Sequence, residues 1–344
     1  MTGRKRSFRS CSTSRKWVPS ASTTIDADRP PLKSRRALIT GISGFAGKHL
    51  ASELRNQGTD VFGYTLNPDP ASDFADNTDV GDIVDAKRLT ATIVRREPDV
   101  IYHLAGRAAV GAAWDQQEEV FIANTLGAAV CVEAAATVPN CRVVLASSGL
   151  VYGQVDADAL PVSEEHARSP RGPYAASKAC AEVAATATAM ATNVDLVIVR
   201  PFNFVGPGQG LGFVTSDFAH QIAAIERGDQ QPVMRVGNLE AERDFTDVRD
   251  FVRGVAAAGQ QGLEGRIYNL CSGQAVAISA ILEMLLQDSR VPIEVESDPE
   301  RMRPSDVARF VGDNTLAREE LSWEPRIEIA QTLSETLDWW RQEA

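Results

Sequence analysis

The sequence predicts an α/β protein with a doubly wound, Rossmann-type parallel sheet and a smaller, interleaved second lobe toward the C-terminus. Short apolar runs alternate with helical patterns along most of the chain, and a glycine-rich turn follows the first of these runs. The chain has 344 residues, of which 44% are hydrophobic, so it can fill a large core and support a second lobe.

Each predicted strand is a short apolar run, and helical patterns separate most of these runs. The strands are predicted at 37–40, 60–64, 100–104, 143–146, 196–200 and 267–270. Two alanine-rich stretches, 127–138 and 175–191, are typical of long helices that pack closely. Strands joined through helices pair in parallel, so their carboxyl ends lie at one edge of the sheet, where ligands bind.

We divide the chain into three parts. Residues 35–200 form the predicted dinucleotide-binding core, and 201–344 form mainly a substrate lobe, except that 248–272 return to the core. Residues 1–34 are basic, rich in serine and without a periodic apolar pattern, which predicts a disordered tail. An organelle-targeting peptide and a start codon placed too far upstream are alternatives for this segment, which lacks the apolar centre of a secretory signal.

The composition argues against several classes of function. The net charge of -11 gives no general attraction to polyanions, so we expect no nucleic-acid partner. The five cysteines show no paired spacing and the four histidines are scattered, so we expect a cytoplasmic protein with neither disulfides nor a metal site. No apolar run approaches transmembrane length, so we expect no membrane partner.

The glycine-rich turn, residues 41–47, follows the first predicted strand and precedes a helix-like run at 48–57. In this position Gly41 permits a tight turn, Gly44 lets the backbone approach a pyrophosphate, and Gly47 lets the helix pack close to the strand. The helix N-terminus then faces the anion. The turn therefore predicts a dinucleotide site, and a purely structural turn is the alternative.

A tyrosine and a lysine, Tyr174 and Lys178, lie four residues apart in a predicted helix, so both side chains emerge on one face. A tyrosine hydroxyl is a poor proton donor or acceptor at neutral pH, and a nearby ammonium stabilises its phenolate and lowers its pKa. The pair suits reversible proton transfer at a carbonyl or an alcohol. Taken alone, the same spacing is common on ordinary helix surfaces.

The predicted strand 143–146 runs into two serines, the second of which is Ser148. Because ligands bind at the carboxyl ends of parallel strands, Ser148 is expected to hydrogen-bond the reacting carbonyl oxygen while Tyr174 protonates it. A serine that merely starts the following turn is the alternative. The presence of the glycine turn, the serine and the tyrosine–lysine pair in this order favours catalysis.

From about residue 36 to the C-terminus, the sequence resembles the extended short-chain dehydrogenase/reductases that act on nucleotide sugars. Long strings in the second half carry this resemblance: RPFN (200–203), GPGQ (206–209), LGFV (211–214), VGNLE (236–240), RDFTDV (243–248), YNLCSG (268–273) and RMRPSDV (301–307). They imply reduction of the C4 keto group of GDP-4-dehydro-6-deoxy-D-mannose. NADPH or NADH would supply the hydride.

The resemblance also implies roles for individual residues. The implied catalytic residues are Ser148, Tyr174 and Lys178. The implied cofactor-binding residues are Gly41, Gly44, Phe45, Ala46, Gly47, Asp82, Ile83, Ala105, Asn124, Tyr174 and Lys178. The implied substrate-binding residues are Ser148, Asn203, Val236, Asn238, Arg243 and Arg303. The two arginines would bind the diphosphate, because planar guanidinium groups make paired hydrogen bonds to it.

Several alternatives stay open. Residues 63–67, at the end of the second strand, carry neither an acidic residue for a ribose diol nor an arginine for a 2′-phosphate, so both NADH and NADPH stay open. Asp82, Ile83, Ala105 and Asn124 are also compatible with strand ends or helix caps. The alanine-rich helices are expected to pair in a homodimer, as the resemblance implies, although an intramolecular face would look the same.

Three other functions compete with the reductase. They are a nucleotide-sugar 4-epimerase, a GDP-mannose 4,6-dehydratase and a non-catalytic protein that senses the dinucleotide. The resemblance implies that a dehydratase carries an acidic residue two positions before the residue that corresponds to Tyr152. This chain has Leu150 there, and leucine cannot transfer a proton. The dehydratase is therefore disfavoured.

Overall fold

A computed structural model describes residues 36–69, 73–108, 111–301 and 307–343. The predicted tail, 1–34, lies outside these residues. The strands are β1 (Arg36–Thr40), β2 (Asp60–Thr65), β3 (Thr78–Val80), β4 (Val100–His103), β5 (Arg142–Ala146), β6 (Asp195–Pro201), β7 (Asn203–Val205), β8 (Val233–Val236), β9 (Glu242–Asp247), β10 (Ile267–Leu270), β11 (Ala275–Ala277), β12 (Glu294–Ser297) and β13 (Arg309–Phe310).

A π-helical segment, Ile122–Leu126, connects the third and fourth α-helices. The α-helices are α1 (Phe45–Asn56), α2 (Ala86–Arg96), α3 (Gln117–Phe121), α4 (Gly127–Ala135), α5 (Pro173–Thr192), α6 (Val214–Arg227), α7 (Val248–Gln261), α8 (Ile278–Gln287), α9 (Thr315–Leu321) and α10 (Ile329–Glu343). Among the helices of the described residues, none is long and apolar enough to span a bilayer.

The large sheet has seven strands in the order β10-β6-β5-β4-β1-β2-β3, and every pair in it is parallel. All six predicted strands lie in this sheet, and β3 is a short addition at one edge. The predicted doubly wound fold is confirmed. The carboxyl ends of β1, β4 and β5 meet in the middle of one edge, which is where such sheets bind ligands.

Apolar side chains cover both faces of this sheet. In β1, Ala37 and Ile39 join the core cluster on one face, whereas Leu38 joins the cluster on the other, as the alternation of a strand requires. The first cluster includes side chains from α1 and α7, and the second includes side chains from α2, α4 and α5. Burial on both faces explains why the strands are continuous apolar runs.

The chain leaves the large sheet at Phe202 and returns to it later. β7 begins at the next residue and pairs with β9 in a second, four-stranded sheet with β11 and β13. β8 and β12 form a separate parallel pair, and a third apolar cluster fills this lobe. β10 then lies beside β6 in the large sheet, and α7 packs on α1.

Candidate active site

The glycine turn connects β1 to α1, and two of its glycines are required by close backbone contacts. Gly41 has a φ of +76°, and a Cβ there would lie 2.9 Å from the Cα of Ala105. A Cβ on Gly47 would lie 2.2 Å from the carbonyl oxygen of Gly41 and 2.7 Å from the Cα of Ile42. The conflicting atoms belong to the backbone, so no side chain can move aside to make room for a Cβ. Glycine at positions 41 and 47 therefore lets α1 lie closer to β1 than any other residue at these positions would.

Gly44 differs from these two glycines. A Cβ on it would lie 3.2 Å from the Gly41 carbonyl oxygen, a tight but smaller conflict. Gly44 is the N-cap of α1, and no side chain caps the helix there. Phe45 and Ala46 are the first two helical residues, so their N–H groups belong to the helix N-terminus. This end of α1 suits an anion such as a pyrophosphate.

The end of β2 approaches the glycine turn through hydroxyl groups. Thr65 Oγ1 lies 2.6 Å from Ser43 Oγ and donates to the carbonyl of Asn67 at 3.2 Å. Asp82 and Ile83, two of the implied cofactor-binding residues, follow β3, which stops at Val80. Their immediate contacts are structural. Tyr64 donates to the Asp82 carbonyl at 3.0 Å, and the Ile83 side chain is buried in the core.

After β4, the loop around Ala105 runs along the glycine turn and α5. The Ala105 N–H donates to Thr40 Oγ1 at 3.3 Å. Asn124 is buried, accepts from the Arg107 N–H at 2.8 Å and donates to Ser177 Oγ at 2.9 Å. Asn124 thus ties this loop to α5, a role that explains its burial without a cofactor.

The structure brings Ser148, Tyr174 and Lys178 together at the end of β5. Ser148 is buried and starts the turn Gly149–Tyr152, where its Oγ accepts from the Leu150 N–H at 3.2 Å. Tyr174 is the second residue of α5 and is hydrogen-bonded to Ser148. Lys178 is one turn further along α5 and donates to the Ala146 carbonyl at 2.9 Å.

The protonation of these groups depends mainly on burial. Burial of the hydroxyl raises the pKa of Tyr174 to about 12, and its hydrogen bond with Ser148 acts in the opposite direction. Burial lowers the pKa of Lys178 to about 8, while the charge of Glu182 acts to raise it. Tyr174 therefore carries a proton at neutral pH and can donate it. The lowering of its pKa by Lys178 stays a prediction, because the Lys178 ammonium is directed at the Ala146 carbonyl.

A buried ion pair that the sequence alone did not predict lies behind these residues. Glu182 and Arg200 pair at 2.7 Å, and both side chains are almost fully buried. Helical spacing could have pointed to Glu182, because this residue lies four positions after Lys178 on the same face of α5. The partner could not be found in this way, since Arg200 is on β6.

Apart from Ser148, the predicted substrate residues that the structure describes lie in the second lobe. Asn203, at the start of β7, donates to the Asp244 carbonyl at 2.9 Å. Arg243, in β9, donates to the carbonyl of Glu242 at 2.9 Å. The ring of Phe202, next to Asn203, lies 3.0 Å from where a Gly149 Cβ would be, so the start of this lobe touches the Ser148 turn.

Val236 and Asn238 contribute to a cavity of about 510 Å³ in the same lobe. Its lining residues are Val236, Gly237, Asn238, Leu239, Glu240, Val295 and Ser297. The Asn238 side chain accepts from the Glu240 N–H at 2.9 Å, which shapes the loop after β8. Arg303 lies outside the described residues. Among the residues that the structure describes, no cluster of three His, Cys, Asp or Glu side chains is arranged to hold a metal ion.

Comparison with known proteins places this geometry among nucleotide-sugar enzymes. A family model described as GDP-mannose 4,6 dehydratase matches residues 38–336. A GDP-6-deoxy-D-mannose reductase from Pseudomonas aeruginosa is 34% identical over 309 residues, which cover 89% of this chain and 97% of the relative. A UDP-glucose 4-epimerase from Mycolicibacterium smegmatis is 30% identical over 321 residues, or 90% of this chain and 99% of the relative.

A solved structure of RMD from Pseudomonas aeruginosa, complexed with NADPH, has the same fold. It superposes with a TM-score of 0.81 at 32% sequence identity. The match covers 90% of this chain and 100% of that one.

Proposed function

The chain belongs to the GDP-mannose 4,6 dehydratase family of NAD(P)-dependent nucleotide-sugar enzymes, and we propose that it reduces the C4 keto group of GDP-4-dehydro-6-deoxy-D-mannose. The product is GDP-6-deoxy-D-mannose, also called GDP-D-rhamnose. The observation that carries this proposal is the assembly of Ser148, Tyr174 and Lys178 beside a turn that presents Leu150. The 34% identical relative named as a GDP-6-deoxy-D-mannose reductase supports the choice of substrate.

The residues at the end of the sheet fit a nicotinamide dinucleotide. The backbone contacts of Gly41 and Gly47 leave no room for a side chain, and the uncapped N-terminus of α1 suits the pyrophosphate. The neighbour complexed with NADPH supports this assignment. NADPH or NADH supplies the hydride when bound. Asp82, Ile83, Ala105 and Asn124 are proposed to line the rest of its site.

In the proposed mechanism, the protein positions the sugar and moves one proton. Tyr174 donates its proton to the C4 oxygen as the carbonyl is reduced, and Ser148 donates a hydrogen bond that orients this oxygen. Lys178 would hold the nicotinamide ribose and would stabilise the resulting phenolate. The diphosphate is bound by Arg243 and Arg303, with Asn203 nearby, and the base lies near Val236 and Asn238.

Leu150 distinguishes reduction from dehydration. Removal of water across C5 and C6 needs a group that takes a proton and assists the departing hydroxyl. The side chain of Leu150 is 38% exposed next to Ser148 and has no such group. A 4-epimerase, which uses the same three residues with a retained NAD, is the second candidate because one relative carries that name.

The experiment that tests this proposal starts from GDP-mannose and follows the products by mass spectrometry and NMR. With a separate dehydratase and NADPH or NADH, the chain should convert the 4-keto intermediate into GDP-6-deoxy-D-mannose. Alone with catalytic NAD(P)⁺, it should leave GDP-mannose unchanged. Loss of water from GDP-mannose with this chain alone would identify a dehydratase. Cofactor that stays bound through purification, and turnover without stoichiometric reductant, would identify an epimerase.

Replacement of the proposed diphosphate ligands should weaken substrate binding far more than cofactor binding. Arg243→Ala and Arg303→Ala each remove a charge-assisted contact, which should cost roughly 1.5 to 3 kcal/mol of substrate affinity. Isothermal titration with GDP-6-deoxy-D-mannose and with NADPH measures both. Arg227→Ala is the matched control, because Arg227 pairs with Asp229 at the end of α6. Equal weakening of both ligands would contradict the assignment.

Of the two alanine-rich helices expected at the homodimer interface, α4 is largely buried within the chain. We therefore propose that the homodimer buries an exposed apolar surface on α5 and on the π-helical segment Ile122–Leu126, which pack together. Ile122 and Leu126 are 40% and 50% exposed, and Val183 and Met190 of α5 are 57% and 62% exposed. Val183 and Met190 are seven residues apart and so share a helix face. A second copy would cover this surface, as the family resemblance implies.

Val183→Glu should therefore convert the dimer into monomers, because the interface would have to bury an unpaired carboxylate. Sedimentation velocity measures the mass in solution. Val94→Glu is the control, since Val94 is 52% exposed on α2, outside these two elements. A monomeric parent protein, or a dimer that both variants leave intact, would refute the proposed interface.

We also place the enzyme in the cytoplasm. Four cysteines of the described residues are free thiols, three of them buried, as suits a reducing compartment. Fractionation of the source cells would test this location.

A further inference from the structure

A second charged cluster lies directly behind the proposed catalytic residues, and the reaction as described does not use it. Its centre is Glu182, whose side chain is 1% exposed. Glu182 follows Tyr174 by eight residues and Lys178 by four, so all three emerge on one face of α5. A fully buried carboxylate at this position needs compensation by charge and hydrogen bonds.

Each oxygen of the Glu182 carboxylate accepts two hydrogen bonds. Oε1 accepts from Ser147 Oγ at 2.5 Å and from Arg200 Nε at 2.8 Å. Oε2 accepts from an Arg200 terminal nitrogen at 2.7 Å and from Arg168 at 3.0 Å. The Arg200 contact is bidentate, the strongest and most directional form of this pair.

These bonds hold the residues on both sides of Ser148. On one side, Lys178 binds the carbonyl of Ala146 and Glu182 binds the hydroxyl of Ser147. On the other side, the third Arg200 nitrogen donates to the Tyr152 hydroxyl at 2.9 Å, and Tyr152 ends the Ser148 turn. The turn is therefore fixed to the same helix face that carries Tyr174.

A second ion pair, between β5 and β6 and largely buried, serves as an internal reference. Arg142 begins β5 and Asp195 begins β6, and Arg142 donates to one Asp195 oxygen at 2.6 and 3.0 Å. Arg142 also donates to the Gly259 carbonyl at 3.1 Å. This pair ties β5 to β6 at their amino ends. Those ends are remote from the ligand-binding edge of the sheet.

We infer that Glu182 is a positioning residue for proton transfer: held by Arg200, its carboxylate fixes the Ser148 turn against α5 and places a negative charge beside the Lys178 ammonium. The inference rests on the proposed roles of Tyr174 and Lys178. It assigns to Glu182 a function in the reaction that Asp195 lacks, although both carboxylates are paired with buried arginines.

The charges around Lys178 determine the sign of the expected effect. Burial lowers the pKa of Lys178 to about 8, and Glu182 acts to raise it. His103, on β4, stays neutral, because burial and the Lys178 charge lower its pKa to about 3. Arg168 and Arg200 face Glu182 and add positive charge. Loss of the Glu182 carboxylate would therefore leave Lys178 among positive groups, and its pKa would fall further.

The test compares Glu182→Gln, Glu182→Asp and Asp195→Asn in the full chain. For Glu182→Gln we expect the alkaline limb of the kcat profile to move to lower pH by about one unit, since one nearby charge is lost. We also expect kcat near neutral pH to fall about tenfold or more, with little change in KM. Glu182→Asp should retain the position of the limb, because it retains the charge.

Dinucleotide binding provides a second measurement that needs no sugar substrate. The Kd of NADPH, followed by its fluorescence, should rise with pH as Lys178 loses its proton, and Glu182→Gln should move this rise to lower pH. This result distinguishes failure of the inference from failure of the proposed function. If the parent chain binds NADPH but does not reduce the 4-keto sugar, the pH dependence of the NADPH Kd still tests the role of Glu182.

Asp195→Asn controls for the general cost of breaking a buried ion pair. It should lower the melting temperature, as Glu182→Gln does, without moving either limb. The inference is overturned if Glu182→Gln leaves the pH dependence of kcat and of the NADPH Kd unchanged. It is also overturned if Asp195→Asn shifts both pH dependences as far as Glu182→Gln does.

Discussion

Tyr174→Phe should reduce turnover by about two orders of magnitude or more, as expected when a positioned proton donor is lost. The substitution removes the hydroxyl that is hydrogen-bonded to Ser148 and keeps the aromatic ring. Because the hydroxyl is the proposed donor to the C4 oxygen, hydride transfer would have to proceed without proton transfer from the protein. Steady-state reduction of the 4-keto sugar measures the loss, and NADPH fluorescence should show that the dinucleotide still binds.

Tyr102→Phe is the matched control for this prediction. Tyr102 lies on β4 in the core, fully buried, and its hydroxyl has no hydrogen-bond partner among the described residues. Loss of that hydroxyl should leave turnover near the parent value. Near-normal turnover of Tyr174→Phe would remove the basis for the catalytic assignment.

Gly47→Ala should destabilise the fold by roughly 3 kcal/mol, at the upper end of what overpacking costs. The new Cβ would lie 2.2 Å from the Gly41 carbonyl oxygen, so α1 would have to move away from β1. A decrease of several degrees in melting temperature should follow, together with loss of NADPH affinity because the turn itself is displaced.

Gly44→Ala separates packing from cofactor binding within the same turn. Its Cβ would lie 3.2 Å from the same oxygen, so we expect a small change in melting temperature and a clear loss of NADPH affinity. Gly210→Ala, where a Cβ meets open space, should change neither. If Gly47→Ala melts like the parent, or if Gly44→Ala binds NADPH normally, the corresponding role of that glycine is wrong.

The sequence was sufficient to predict the large sheet because its strands are buried on both faces and read as uninterrupted apolar runs. The start of α1 was less predictable. The helix-like pattern begins at Lys48, whereas α1 begins at Phe45, because the helical turn includes Gly47, a residue that favours helices weakly. Tight packing of α1 against β1 explains why the helix begins three residues earlier. Helix propensities of single residues do not describe such packing.

The candidate site was predictable where its residues share one helix or one turn. Tyr174 and Lys178 follow from helical spacing, and Ser148 follows from the end of a strand. The pair between Glu182 and Arg200 depends on where β6 lies relative to α5, which is tertiary information. Burial of Asn124 between a loop and α5 is also tertiary, so the sequence could not choose between a cap and a cofactor contact. The cofactor and substrate roles of individual residues stay predictions.

Because the chain returns to the large sheet only at β10, this sheet can be completed only late in synthesis. A nascent chain that has emerged only through β6 lacks β10, which completes one edge of the sheet, and α7, which packs on α1. Apolar side chains of α1, such as Leu50 and Leu54, belong to the same core cluster as Phe251 and Val255 of α7. The dinucleotide core therefore cannot bury this face until the strands β7 to β9 have also left the ribosome. We therefore expect both lobes to mature together, and a fragment that ends after β6 should expose an apolar face and an unpaired strand edge.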